Sequence, residues 1–221
     1  MAVFLHPCTM LVSGPTGCGK TALVSEFVKR NLFEPKIERV IWVYAEWQPL
    51  YENIQKMVHI EFIRSTNENT ALDTIYGNIS PRKTNLLILD DQMQLSGNNN
   101  KLSKFFTQGS HHSNLSIIYL AQNLFDKGKS YRTVSLNSQY IIIFKNPRDR
   151  LQIDSLARQV YPNEWKYFIA VFADATAEPF SYLLIDLKPE TKEELRLKSK
   201  ILDEHPRIYV PLSYTSEESH I

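Results

Sequence analysis

Only two of the 221 residues are cysteine, Cys8 and Cys18, too few for a disulfide framework and lacking the ligand spacing of a zinc site. No apolar run approaches the roughly 18 residues that a membrane-spanning helix needs. Residues 1–5 are short, uncharged and followed at once by a strand pattern, unlike a secretory leader, so a cytoplasmic or nuclear protein is expected. Excess charge is missing as well: 25 Lys and Arg against 24 Asp and Glu leave +1, and any surface for a polyanion must be local. Internal repeats and low-complexity blocks are absent, as is the Asn-Lys-x-Asp motif that would read a guanine base.

What is present is alternation. Short apolar runs at residues 9–13, 40–44, 86–89, 117–120, 140–144 and 182–185 read as strands, separated by stretches with helical spacing. Leu23, Val24, Phe27 and Val28 share one helical face, as do Ile153, Leu156, Ala157 and Val160. Residues 165–172 read as further helix. Residues 48–84 are expected to hold short helices and an edge strand near 59–63, and residues 96–100 a polar loop. This pattern predicts an α/β fold, a mainly parallel sheet between two layers of helices. From Pro189 onward, charge and proline without periodicity predict a tail, which divides the chain into a domain at 1–188 and a tail at 189–221.

The first strand leads into Gly14-Pro15-Thr16-Gly17-Cys18-Gly19-Lys20-Thr21, which fits G-x-x-x-x-G-K-[ST] at every defined position and opens a helix. Its glycines let successive N–H groups turn toward phosphate oxygens, and the helix N-terminus favours negative charge there. Lys20 is the expected partner of the β- and γ-phosphates, and the Thr21 hydroxyl a ligand of Mg²⁺. ATP with Mg²⁺ is therefore the expected ligand. Cys18 reads as a small filler; the alternative is a reactive thiol, its pKa depressed beside the helix N-terminus.

The run Leu86-Leu87-Ile88-Leu89-Asp90-Asp91 carries a carboxylate to the end of a buried strand. Asp90 is expected in the Mg²⁺ shell, and Asp91 as the base that polarises an attacking water. Gln122, just past the next strand, is expected to sense the γ-phosphate or orient that water, or else to cap a loop. Lys127, Lys129, Arg132, Lys145, Arg148 and Arg150 crowd the final strands, and Arg132 and Arg148 are candidates for an arginine that completes a neighbour's site. A solvated basic loop, or a Lys127-Gly128-Lys129 contact with DNA phosphates, are the alternatives. His111 and His112 lack partner spacing for a metal. Glu46, Trp47 and Tyr51 read as packing residues on the nucleotide side rather than an adenine platform.

Together GPTGCGKT at 14–21, IWVYAE at 41–46, LLILDD at 86–91, SIIYLAQN at 116–123 and IIIFKNPRDR at 141–150 resemble the FtsK–HerA class of P-loop ATPases. Within it they resemble the DNA-packaging ATPases of poxviruses, adintoviruses and Polinton-like elements. The resemblance covers most of residues 9–160. It implies a P-loop NTPase three-layer α/β/α sandwich of RecA/ASCE-like type, with an extra strand between the loop strand and the strand of Asp90, so that Gln122 faces the γ-phosphate. It also implies an ATPase ring that moves double-stranded DNA into a capsid, with a capsid or portal protein as partner. The expected setting is the cytoplasm or nucleus of an infected or host cell, or the virion, without membrane attachment. Two departures stand out: Asp91 occupies a position where many relatives carry glutamate, and no nuclease domain is evident. A helicase or repair ATPase on a related core is the runner-up. A small-molecule kinase is disfavoured by Asp90-Asp91 and the Gln122 strand.

Overall fold

The computed structural model describes residues 4–65, 72, 75, 77–90, 103–109, 114–125 and 129–211. Asp91, His111, His112, Lys127 and the stretch 96–100 lie outside the described residues. In chain order the elements are β1 (Phe4–Leu5), β2 (Thr9–Ser13), α1 (Lys20–Arg30), β3 (Phe33–Glu34), β4 (Arg39–Tyr44), α2 (Pro49–Gln55), β5 (Glu61–Arg64), β6 (Asn85–Leu89), β7 (Leu115–Ala121), α3 (Lys129–Leu136), β8 (Tyr140–Phe144), α4 (Arg150–Val160), α5 (Trp165–Ala175), β9 (Tyr182–Asp186), β10 (Leu197–Ser199) and β11 (Arg207–Tyr209). A π-helical turn, Phe105–Gly109, precedes β7.

The uninterrupted apolar runs are central strands because both of their faces are covered. Along β6, Leu86 and Ile88 point to one side and Leu87 and Leu89 to the other, all with no solvent exposure. Burying each such side chain contributes about 1.5–3 kcal/mol, which offsets the roughly 1–2 kcal/mol needed to fix its backbone. One face packs against Leu23, Val24, Phe27 and Val28 of α1 and Tyr51 and Ile54 of α2. The other packs against Val134 of α3, Leu156 and Ala157 of α4 and Phe168 and Val171 of α5. The result is the expected α/β/α sandwich.

Nine strands form the sheet in the order β11-β10-β9-β8-β2-β7-β6-β4-β5. From β8 to β5 every pairing is parallel, and β9, β10 and β11 add antiparallel strands at one edge. As the resemblance implies, β7 lies between the loop strand β2 and β6. The edge strand expected near 59–63 is β5, beside β4. Among the described residues no helix is long and apolar enough to cross a membrane.

The tail expected from residue 189 needs correction as far as residue 211. Leu197 pairs with Ile185 and with Tyr209, so β10 and β11 extend the sheet itself. The Arg196 guanidinium donates to the carbonyls of Asp186 and Lys188, at 3.0 and 3.1 Å. Asp174 of α5 accepts from Arg207 at 2.6 Å and from the Tyr209 hydroxyl at 2.7 Å. Strands of three residues carry too little periodicity to stand out from a charged linker. Residues 212–221 lie outside the described residues.

A second, two-stranded sheet pairs Phe4 with Phe33 and Leu5 with Glu34. It is tied to the main sheet through His6, whose Nδ1 lies 2.7 Å from Ser116 Oγ and Nε2 2.9 Å from Asn114 Oδ1. Burial lowers the His6 pKa below 6.5, with the Asn114 bond a smaller opposing effect. The folded chain therefore holds this ring neutral where the unfolded chain already binds a proton. The stability this neutrality provides is complete above about pH 6.5 and is lost as pH falls through the lower folded value. Urea unfolding from pH 7.5 to 5 should show a steeper loss of stability in the native chain than in His6→Gln; equal slopes would remove His6 as the cause.

Candidate active site

The turn after β2 is shaped by its glycines. Gly14 N–H donates to the Ala121 carbonyl at 3.1 Å, extending the β2–β7 ladder by one step. A methyl group at Gly14 would sit 2.7 Å from both Cys18 Sγ and Phe144 Cβ, closer than any side chain tolerates. Gly17 and Gly19 hold φ of 79° and 103°, the left-handed region open chiefly to glycine. Cys18 N–H donates to the Pro15 carbonyl, and Leu23 N–H to the Gly19 carbonyl begins α1. Pro15, Thr16 and Thr21 complete the turn, with Thr16 and Thr21 facing the cleft described below.

Lys20 is 9% exposed, and its ammonium donates to the Gly14 carbonyl at 2.5 Å and the Pro15 carbonyl at 3.2 Å. The charge is thus folded into the concavity of its own loop. The reactive-thiol alternative for Cys18 is corrected: burial raises its pKa, outweighing the opposing influence of Lys20. Cys8, fully buried, is pushed up to about 11 by the same cause. Cys18 is a filler, its sulfur packed against the Gly14 turn.

Asp90 follows β6 directly. Its N–H donates to the Val43 carbonyl at 3.0 Å, so β4 fixes its backbone. Its buried carboxylate accepts a 2.6 Å hydrogen bond from the Tyr51 hydroxyl of α2. The Tyr51 ring is enclosed by Trp42, Tyr44, Trp47 and Phe62, with centroids 5.1–5.6 Å away. Burial, together with the negative charge of Asp90, raises the Tyr51 pKa, so the hydroxyl remains a donor. The sequence marked Tyr51 as packing, and it does pack; the partnership with Asp90 links residues 39 positions apart and leaves no local signal.

Gln122 is exposed just beyond β7, between the P-loop and Asp90. It borders two clefts. One, of about 430 Å³, is lined by Gly17, Lys20, Thr21, Asp90 and Gln122 and, on the far wall, by Glu46, Trp47, Gln48 and Leu50. The other, of about 580 Å³, is lined by Pro15, Thr16, Gln122, Asn146, Arg148 and Asp149. The loop after Gln122 is braced by Gln152 of α4, whose amide oxygen accepts from Leu124 N–H at 2.7 Å and Phe125 N–H at 3.0 Å. The Gln152 amide nitrogen in turn donates to Asp149.

The structure therefore brings residues 14–21, Asp90 and Gln122 together. Arg148 is exposed and lies against the P-loop of its own chain, in the second cleft. Arg132 is exposed on α3 and lines neither cleft. Asp91, the expected base, lies outside the described residues. Glu46, which the sequence placed among packing residues, is instead exposed and lines the first of these clefts.

A glycine-rich strand-to-helix turn, with a carboxylate two strands away and a third strand between them, defines the class: this is a P-loop NTPase fold of RecA/ASCE-like type. Comparisons agree at the level of fold. Residues 5–114 match the profile of the NB-ARC domain. No curated protein matches the sequence. Among solved structures, the chain is similar to B204, the DNA-packaging ATPase of Sulfolobus turreted icosahedral virus, with a TM-score of 0.62 at 12% identity over 94% of this chain and 98% of that one. The genome packaging NTPase B204 of Sulfolobus turreted icosahedral virus 2, solved in complex with AMPPCP, gives 0.60 at 13% identity over 93% and 98%. A KaiC-like protein of Pyrococcus horikoshii gives 0.54 at 16% identity over 93% and 91%.

Replacing Tyr51 by Phe keeps the ring in its aromatic enclosure and removes the donor to Asp90. Stability is expected to fall by about 1–3 kcal/mol, the cost of withdrawing a hydrogen bond from a buried charged group. Urea unfolding measures this directly; an unchanged midpoint would show that the Tyr51 hydroxyl does not support Asp90.

Proposed function

We propose that this chain binds ATP with Mg²⁺ and hydrolyses it to move double-stranded DNA, as a genome-packaging ATPase of the FtsK–HerA class working in a homo-oligomeric ring at a capsid or portal. The single observation that carries the nucleotide part is the convergence of the P-loop, Asp90 and Gln122 on one cleft. The DNA part is supported by the sequence blocks up to residue 150. It is supported too by a fold likeness that spans nearly the full length of viral packaging ATPases. Its setting would be the cytoplasm or nucleus of an infected or host cell, or the virion.

The residues suit a magnesium–triphosphate complex. Thr21 and Asp90 offer hard oxygen donors on the cleft wall, the kind Mg²⁺ takes beside phosphate oxygens. When bound, the ion neutralises charge between the terminal phosphates. The chain's own groups would do the rest. Amides of the loop turn would receive the phosphates, and Lys20 would exchange the Gly14 and Pro15 carbonyls for the β- and γ-phosphates. Asp90, held by Tyr51, needs no rotamer search to meet the metal. Asp91 would polarise the attacking water and Gln122 would orient it against the γ-phosphate. An arginine would cross to a neighbouring subunit and stabilise the charge of the transition state: Arg132, exposed and away from both clefts, or Arg148, which would have to leave the cleft beside its own P-loop.

ATP turnover should rise when intact duplex DNA is added, and Lys20→Ala should abolish both basal and stimulated rates. Turnover indifferent to DNA in every form would remove the translocase reading. Unwinding of a forked duplex would favour a helicase, and phosphate transfer to a small acceptor a kinase.

A further inference from the structure

The groups around the nucleotide-side cleft come from one side of the P-loop strand. Gln122, Asp90 and Glu46 stand beyond the ends of β7, β6 and β4, which lie in that order to one side of β2. On the reading proposed above, the γ-phosphate points toward them. The nucleoside, at the opposite end of the triphosphate, then leaves past the first turn of α1 toward β8 and β9.

Beside the buried Phe144 and Tyr182, an exposed aromatic side chain lies there. Phe180 lies in the turn that leads into β9 and is 71% exposed. Its ring faces the P-loop: a methyl group on Gly19 would lie 3.5 Å from Phe180 Cδ1. Its backbone is left-handed, with φ of 62°. The other described non-glycine residues with positive φ are Asn31, Asn114 and Lys200. Asparagine enters that region readily, whereas a bulky aromatic does so at a cost. The turn is closed by Ser181, whose N–H and hydroxyl both donate to the Glu178 carbonyl, at 3.3 and 2.5 Å. The ring is thus held in an unfavourable conformation and left largely in water, neither of which core packing explains. An exposed ring beside a glycine-rich turn presents a flat apolar surface, which suits a flat heterocycle.

We infer that Phe180 is the stacking platform for the base of the nucleotide. The inference rests on the nucleotide reading and adds to it the residue that binds the substrate's other end. Stacking supplies affinity without hydrogen-bond readout, so the platform takes a purine by its face and does not by itself separate adenine from guanine.

Two ligands distinguish this role from simple support of the loop: ATP, which has a base, and tripolyphosphate, which has none. Steady-state hydrolysis by the full chain in the presence of Mg²⁺ gives the KM for ATP and the inhibition constant of tripolyphosphate. Phe180→Ala should raise the KM about 10-fold, with the effect on KM rather than kcat, while tripolyphosphate inhibits as it does the native chain. Phe180→Trp should restore the KM. Phe180→Gly relieves the left-handed backbone, so it should lose base affinity while its thermal midpoint does not fall. An unchanged KM in the Ala and Gly variants would overturn the inference. So would a parallel weakening of tripolyphosphate, which would make the ring a prop for the loop. A native chain that binds neither ligand would overturn the nucleotide reading itself, and the platform with it.

Discussion

Parallel pairing in register is the constraint on which the rest of the molecule depends. Ser13 is opposite Ala121, Leu89 opposite Tyr119, and Val43 opposite Leu89. Those pairings bring the carboxyl ends of β2, β7, β6 and β4 to a common edge, where ligands bind in open α/β sheets. A slip of one residue in β6 would turn Leu87 and Leu89 to the face of Leu86 and Ile88 and move Asp90 out of the cleft. Because Asp90 directly follows this apolar strand, the register of β6 places the chemistry.

At that edge the charged groups have partners of their own. The Lys20 ammonium rests on loop carbonyls and the Asp90 carboxylate on the Tyr51 hydroxyl. A buried charge without such a partner costs several kcal/mol. These bonds therefore allow the site to be built into a folded core, and a triphosphate would have to compete with them. The Tyr51 bond also joins Asp90 to α2, at whose start Gln48 and Leu50 line the cleft wall. The Tyr51 hydroxyl is thus one point at which α2 and Asp90 are joined.

Much of this was legible in the chain because it is local. The loop motif, the apolar strands and the one-sided faces of α1 and α4 are encoded within a few residues of themselves. The place of β7 between β2 and β6, by contrast, came from resemblance, since strand order is a long-range property. The partnership of Tyr51 with Asp90 was hidden because an aromatic residue among aromatic residues reads as packing. Strands β10 and β11 were missed for a different reason: Lys198 and Arg207 make a short edge look like solvated linker. Phe180 left no trace in the sequence, as only its backbone angle and its nearness to Gly19 distinguish it. Glu46 was placed near the nucleotide but its exposure toward the cleft depends on how β4 ends.

The central claim is that the loop and Asp90 serve one triphosphate–metal complex. The most direct measurement is a structure determined with Mg²⁺ and AMPPCP. The account predicts the triphosphate inside residues 14–21, Lys20 turned from the Gly14 carbonyl to phosphate oxygens, and the metal reached by both Thr21 and Asp90. A nucleotide bound elsewhere on the sheet, with Lys20 still resting on its loop carbonyls, would contradict it.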